Sequence, residues 1–402
     1  MTTAIRTRRR LLPFALGLLG CAGAGAPGGG GSGGASVANG GAAAGGNGGA
    51  DATVADAREL PESAPVDRVI AACNGLGGVD ELQDITPPGT DLSNNGVVQV
   101  LVHPKVAGTV YAGVDRRGLF KSTDCGASWT KVNTGRNGSL IDTGTPWSMA
   151  MDPVLPDVIY AGSLYGQDNS LLKSVNGGVD WDSLWPRGSE IASTVEYNFL
   201  QDLSIDPTDH QHVVVTFHAN CKSAFGTGCM AETKDAGVTW RIFKSPKPGW
   251  QEGAGPFVLG ATTWLVATVQ QGFYYTGDGG ETWEQVGPGA NHSMYRTQDG
   301  HYYTGSDYGV NRSADGRVWM QVPGSPNGYG MIGDGKRLFH SVRNAEGTQQ
   351  PYFTSPETDG TKWTPLPSPR MSHGAVYFAY DRDHHLLYSA NTKSGLWRMV
   401  TQ

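Results

Sequence analysis

One short pattern recurs down this chain and leaves few folds open to it. Its first occurrence is Ser122-Thr-Asp124-Cys-Gly126-Ala-Ser128-Trp129, and it returns as Ser174-Val-Asn176-Gly-Gly178-Val-Asp180-Trp181. Two more full copies are Thr233-Lys-Asp235-Ala-Gly237-Val-Thr239-Trp240 and Thr276-Gly-Asp278-Gly-Gly280-Glu-Thr282-Trp283. Shortened copies follow at Asp315-Gly-Arg-Val-Trp319 and Asp359-Gly-Thr-Lys-Trp363. Each sits between two short apolar or aromatic runs, as a β-hairpin corner would. The Asp or Asn side chain accepts backbone N–H groups of its own turn, and the Gly takes the positive φ of a tight turn. The Trp then leaves the turn to lie against apolar neighbours. These residues read as turn staples, not as catalysts.

The pattern resembles the Asp-box of the Asp-box (BNR-repeat) β-propellers, a group that includes sialidases, sortilin-type receptors, xyloglucan-active hydrolases and a photosystem assembly factor. The resemblance implies architecture more than function, because its members do unrelated things on one fold. By Trp spacing the longer repeat is 36–59 residues, the length of a propeller blade. Each unit opens with a strand such as Val97-Val-Gln-Val-Leu-Val102, turns at His103-Pro104, Asp152-Pro153 or Asp206-Pro207, and runs back through a second strand before the corner. After the sixth corner, three more strands follow and the chain stops. Glu81-Leu-Gln-Asp-Ile-Thr86 supplies the missing fourth strand. The expected fold is therefore all-β: a single seven-bladed propeller of four-stranded antiparallel blades, the last closed by the N-terminal strand.

Ahead of the blades, four arginines precede an apolar run that ends at Cys21. The run is too short to span a bilayer and reads as a signal peptide over residues 1–20. Leu18-Leu19-Gly20-Cys21 resembles a bacterial lipobox, which implies lipidation of Cys21 and anchoring in the cell envelope, with an outer-membrane or surface site favoured by Ala22. Thr7-Arg8-Arg9-Arg10-Leu11-Leu12 also resembles a twin-arginine signal, so the export route stays open. Residues 21–57 are nearly all Gly, Ala, Ser and Asn and read as a flexible tether. That leaves residues 58–402 for the propeller. Removing the four leader arginines takes the formal charge from −7 to about −11, which speaks against nucleic acid. Beyond Cys21, four cysteines remain. Cys221 and Cys229 flank a short loop and are expected to pair, which leaves Cys73 with Cys125 in a chain of an oxidising compartment.

With the first strand of each blade innermost, the corners share a face with the first hairpin turns. Those turns carry His103, His210, His212, His384 and His385. His210-Gln-His212 has no third ligand placed beside it and is read as a solvated turn; no metal or cofactor is expected. The opposite face gathers Trp147, Trp250, Tyr329, Arg343, His218 and Asp307 as candidate ligand-binding residues, and aromatic rings with amides and carboxylates suit a carbohydrate. Candidate catalytic residues are Glu196, Glu252, His292, His373 and Tyr197. Glycoside hydrolysis asks for two carboxyls, for which Asp115, Asp168 and Asp307 are further candidates. A polysaccharide lyase would use a His or Tyr base beside a neutralising group. Resemblance to the sialidases would require an arginine triad and an early Arg-Ile-Pro, and no such tripeptide exists here, which disfavours a standard sialidase; the xyloglucan enzymes that the chain resembles use two propellers. The reading is an envelope-anchored, glycan-binding propeller that is a candidate hydrolase or lyase. The alternative is a non-enzymatic protein-binding or assembly platform.

The lipobox leads to one expectation. Cys21→Ser should leave the protein in the soluble fraction after membrane sedimentation. Retention at the wild-type level would sink the lipid anchor.

Overall fold

In the computed structural model, the repeated corners are turns knotted by their own side chains. In the first, Ser122 Oγ donates to Asp124 Oδ1 at 2.7 Å and accepts the Gly126 N–H at 2.7 Å. Asp124 in turn accepts the Ser128 N–H at 2.8 Å and the Ser128 hydroxyl at 2.6 Å. Gly126 has φ +91°, and a Cβ there would stand 2.6 Å from Ile85. The third and fourth corners repeat this set through Thr233–Asp235–Thr239 and Thr276–Asp278–Thr282. Hydrogen bonds from Thr239 and Thr282 hold the Asp235 and Asp278 carboxyls down at about 2. The second corner keeps the geometry with the roles exchanged. Asn176 Nδ2 donates to Asp180 Oδ2 at 2.9 Å, so the carboxylate has moved to the position that elsewhere supplies the hydroxyl.

The structure describes residues 69–402 except 167–169, 196–199, 219–220, 222–227, 247–252, 269–271 and 343–350. All belong to one of the chain's two units, Arg58–Gln402. The signal segment, Cys21 and the tether read over 21–57 lie outside the described residues, as do Asp168, Glu196, Tyr197, Trp250, Glu252 and Arg343.

Seven four-stranded antiparallel sheets form the blades. Their innermost strands are Val97–Val102, Thr145–Met151, Leu200–Ile205, Gly253–Val258, Met294–Arg296, Gly330–Gly333 and Tyr377–Asp381. The seventh blade adds Leu82–Asp84 at its outer edge, paired antiparallel with Gly395–Val400. The N-terminal strand thus closes the ring as expected. Two single-turn helices, Ser139–Asp142 and Glu190–Thr194, precede the inner strands of blades two and three.

The core lies between blades, and both expected disulfides are present, Cys73–Cys125 and Cys221–Cys229. One cluster joins Val214 and Met230 of blade three to Val258, Trp264 and Val266 of blade four, with Trp283 packed on its side. Of the six corner tryptophans, Trp181 is fully buried. Trp129, Trp240, Trp283, Trp319 and Trp363 are half-buried.

Trp181→Ala should cost about 3–5 kcal/mol as a large truncation in a closed core. Trp283→Ala should cost less, and thermal unfolding of the two variants side by side checks the order. Equal losses would contradict the packing described.

Candidate functional site

The innermost strands of blades one to four share an irregularity. Their register slips between Val97 and Gln99, between Thr145 and Ser148, between Leu200 and Asp202, and between Ala254 and Phe257. A bulge of this kind re-aims a side chain out of the regular alternation. Here it falls where the strands enter from the face opposite the corners. Gln99 and Asp202 line an axial channel of about 440 Å³, together with His292 and Tyr377 from blades five and seven.

These groups meet as one buried cluster. Asp202 Oδ2 lies 3.3 Å from His292 Nδ1 and 3.5 Å from the Tyr377 hydroxyl, which is itself 3.4 Å from His292 Nδ1. Asp202 is positioned from its own strand, where Oδ1 accepts the Leu203 N–H at 2.9 Å, and from blade four, where Oδ2 accepts the Gly255 N–H at 3.3 Å. Trp147 stands edge-on to His292 and Tyr377 at centroid distances of 6.0 and 6.4 Å. Tyr329 stacks on His292 at 6.0 Å with an interplanar angle of 21°. Asp202, His292 and Trp147 are each less than a tenth exposed. Tyr329, half-buried, covers the imidazole from its neighbouring blade.

Of the sequence candidates, Trp147, His292 and Tyr329 are therefore brought together. Others are not. His218 pairs edge-on with the exposed Tyr165 at 6.5 Å, on the rim between blades two and three. Asp307 is half-buried in its hairpin turn beside the exposed Tyr308. His373 belongs to blade seven, where Nδ1 lies 3.0 Å from Ser372 Oγ and the backbone N–H donates to Ser394 Oγ. Asp115, offered as a catalytic carboxyl, is a staple instead: it accepts the Asn95 N–H and the Thr145 hydroxyl of the next blade. Asp202, Tyr377 and Gln99 were missed. Their available signal is a polar or phenolic residue interrupting an otherwise apolar inner strand, as in Val-Val-Gln99-Val-Leu-Val.

The histidine turns also need correction. His212 is buried, with Nδ1 2.8 Å from Asp206 Oδ2 and Nε2 3.0 Å from Glu232 Oε1. His210 Nδ1 reaches Asp152 Oδ2 of blade two at 2.7 Å. His210 bolts its turn to that of blade two and His212 bolts its turn to the neighbouring strand of its own blade, so neither is a solvated side chain: the buried carboxylates of Asp152, Asp206 and Glu232 need partners. A grouping of metal-ligating atoms, Cys73, Cys125 and His384, has both sulfurs committed to the disulfide.

No protein-family model matches the chain. A probable oligoxyloglucan-reducing end-specific xyloglucanase of Neosartorya fischeri is 27% identical over 244 residues, which are 52% of this chain and 28% of that protein. Among solved structures, the GH74 xyloglucanase of Xanthomonas campestris superposes with TM-score 0.56 at 18% identity, over 80% of this chain and 54% of that one. YCF48 bound to D1 peptide gives TM-score 0.56 at 13% identity, over 83% of this chain and all of that one. The likeness is one of fold. The chain spans under a third of the curated relative and about half of the GH74 chain.

Burial by itself would lower the His212 imidazole, but the hydrogen bonds and charges of Asp206 and Glu232 outweigh it and raise it. A raised folded-state value makes the stabilisation complete below the unfolded value of about 6.5, and it fades as pH climbs through the folded one. His212→Gln should therefore cost about 3–5 kcal/mol near pH 6, as expected for breaking a buried pair. The cost should shrink toward pH 9 in thermal melts; a deficit that grew with pH would reverse the assignment.

Proposed function

We propose that this chain is an exported, lipid-anchored propeller that recognises an oligosaccharide over the axial cluster, on the face opposite the corners. The observation that carries this reading is the convergence of Asp202, His292 and Tyr377 from three blades, flanked by the rings of Trp147 and Tyr329. Aromatic faces suit sugar C–H surfaces, while a carboxylate, imidazole and phenol satisfy hydroxyls. The stretch shared with a xyloglucanase supports a carbohydrate ligand, and two disulfides fit an oxidising compartment.

Recognition fits the described residues better than hydrolysis. Two-carboxyl chemistry needs partners about 5–9.5 Å apart, and Asp202 is the single carboxylate among the described residues lining the channel. The cluster is better arranged to hold or move a proton. Asp202 orients His292, and the Tyr377 hydroxyl touches both, an arrangement a lyase could use as its base.

The test uses the full-length chain with a polysaccharide panel that includes xyloglucan and uronate polymers, measuring binding, new reducing ends and unsaturated uronates. A bound glycan whose affinity falls about tenfold in Asp202→Asn and Tyr377→Phe, roughly one hydrogen bond to a charged group, supports the reading. Unchanged melting temperatures would show that the fold survives these isosteric changes. Binding to none of the panel would overturn it and favour a protein-binding platform.

A further inference from the structure

On the face where the axial cluster opens, the hairpins joining second to third strands turn at Arg116 in blade one, Tyr165 in blade two and Lys393 in blade seven. These residues stand at the tips of adjoining blades, and each has a left-handed backbone, with φ +53°, +56° and +62°. Glycine takes that conformation freely, and other residues take it at a cost. In blade five the same hairpin gives the positive φ to Gly309. All three side chains are exposed, Tyr165 by 58%.

The loops that enter the inner strands stitch these tips into one line. The Lys393 N–H donates to the Asn95 carbonyl at 3.1 Å, and the Asn95 N–H donates to Asp115 Oδ2 at 3.3 Å. Next along, the Arg116 N–H donates to the Gly144 carbonyl at 2.9 Å, and Thr145 pairs with Leu164, the residue before Tyr165. The line borders the axial cluster. Val98, on the inner strand that Lys393 and Arg116 flank, packs with Trp147, Val376 and Tyr377 in one buried group.

Charge along the line is lopsided. Among the described residues, the Arg116 and Lys393 side chains have no ion-pair or hydrogen-bond partner. Arg370 is exposed on the adjoining loop, where Ser372 Oγ and the His373 N–H each lie 3.1 Å from Ser394 Oγ. Of the carboxylates in these turns and entry loops, Asp115 is buried and already accepts the Asn95 N–H and the Thr145 hydroxyl. That leaves exposed Asp91, which accepts from Ser93 and Asn94. In a chain of net negative charge, exposed cations gathered in one sector favour an anionic ligand there.

We propose that the ligand of the axial site is an acidic polysaccharide, whose carboxylates pair with Arg116 and Lys393 while a sugar ring lies on Tyr165. This rests on the axial reading and narrows it to a uronate polymer. The aromatic tip beside the cations, with the Trp147 and Tyr377 rings behind them, favours a sugar over an acidic peptide. Every group asked to meet the polymer at the rim is exposed.

The experiment is titration calorimetry of the full-length chain with polygalacturonate, alginate, the esterified form of each, xyloglucan and polyglutamate. Esterification removes the charge and keeps the ring; polyglutamate keeps the charge and lacks the ring. One or both uronate polymers should bind about tenfold more tightly than their esters and than polyglutamate, the upper range for two exposed charge pairs. Added salt should erode the preference over the ester. The double variant Arg116→Gln, Lys393→Gln should lose that preference with its melting temperature unchanged, because both side chains are exposed. Tyr165→Ala should weaken the charged and esterified forms by similar factors. The proposal is overturned if neither uronate polymer binds, if esters or polyglutamate bind as well, or if the double variant keeps the preference. Xyloglucan binding that falls in Asp202→Asn, with no preference for charge, overturns it and leaves the axial reading intact. A preference lost in the double variant but untouched by Asp202→Asn overturns the axial reading and keeps the cationic rim.

Discussion

The molecule depends on the joining of its two chain ends. A ring of radial blades leaves each sheet only a short outer edge, and the last blade has its fourth strand only because a strand from the N-terminal side joins it. Here Leu82, Gln83 and Asp84 pair with Met399, Arg398 and Trp397. That seam is held from several sides. The Ile85 carbonyl accepts the Trp129 indole N–H at 2.7 Å, so the first corner grips the closing strand. Arg398, almost wholly buried, donates to the Cys125 and Gly75 carbonyls and to Gln83. The Cys73–Cys125 disulfide ties the segment before the strand to the same corner. A strand separated from its partner by some 300 residues of sequence must offset a large loop-closure entropy, and this seam supplies covalent, polar and apolar contacts together.

Away from the seam, a shared polar economy recurs in the first hairpin turns of blades two, three and seven. A carboxylate with two oxygens can close its own turn with one and reach a neighbour with the other. Asp206 does so toward Thr208 and His212, and Asp381 toward His384 and, across the seam, Gly108. The exchange of Asn176 and Asp180 shows that the corner requires a donor facing an acceptor, not a particular residue at each place. Among the four aspartates at the first hairpin turns, Asp152, Asp206, Asp334 and Asp381, Asp334 differs in leaving Oδ2 without a hydrogen-bond partner among the described residues.

The axial cluster follows from departures in the strands that carry it. A regular inner strand would alternate its side chains between the two neighbouring blades. Slips in four of the seven inner strands swing residues toward the axis instead, where Asp202 meets the His292 and Tyr377 side chains and Gln99 lines the same channel. The scaffold thereby places a polar group from one blade within reach of groups from two others, without relying on a long loop.

Residue pattern alone determined the blade count, the order of strands, the closing strand, the two disulfides and the hairpin chemistry of the corners. Those features are local and repeated, so Asp124, Gly126 and Trp129 declare themselves by spacing. It also placed Trp147, His292 and Tyr329 on one face, because strand order assigns every turn to a rim. It could not place Asp202 against His292, since 90 residues separate them and the bulges that aim them leave no periodic mark. For the same reason, His212 read as a solvated turn and Asp115 as a candidate acid, although both are buried between neighbouring elements. Which oxygens find partners is decided only when one blade lies against the next, because burial and hydrogen bonding are properties of the packed ring and not of any single repeat.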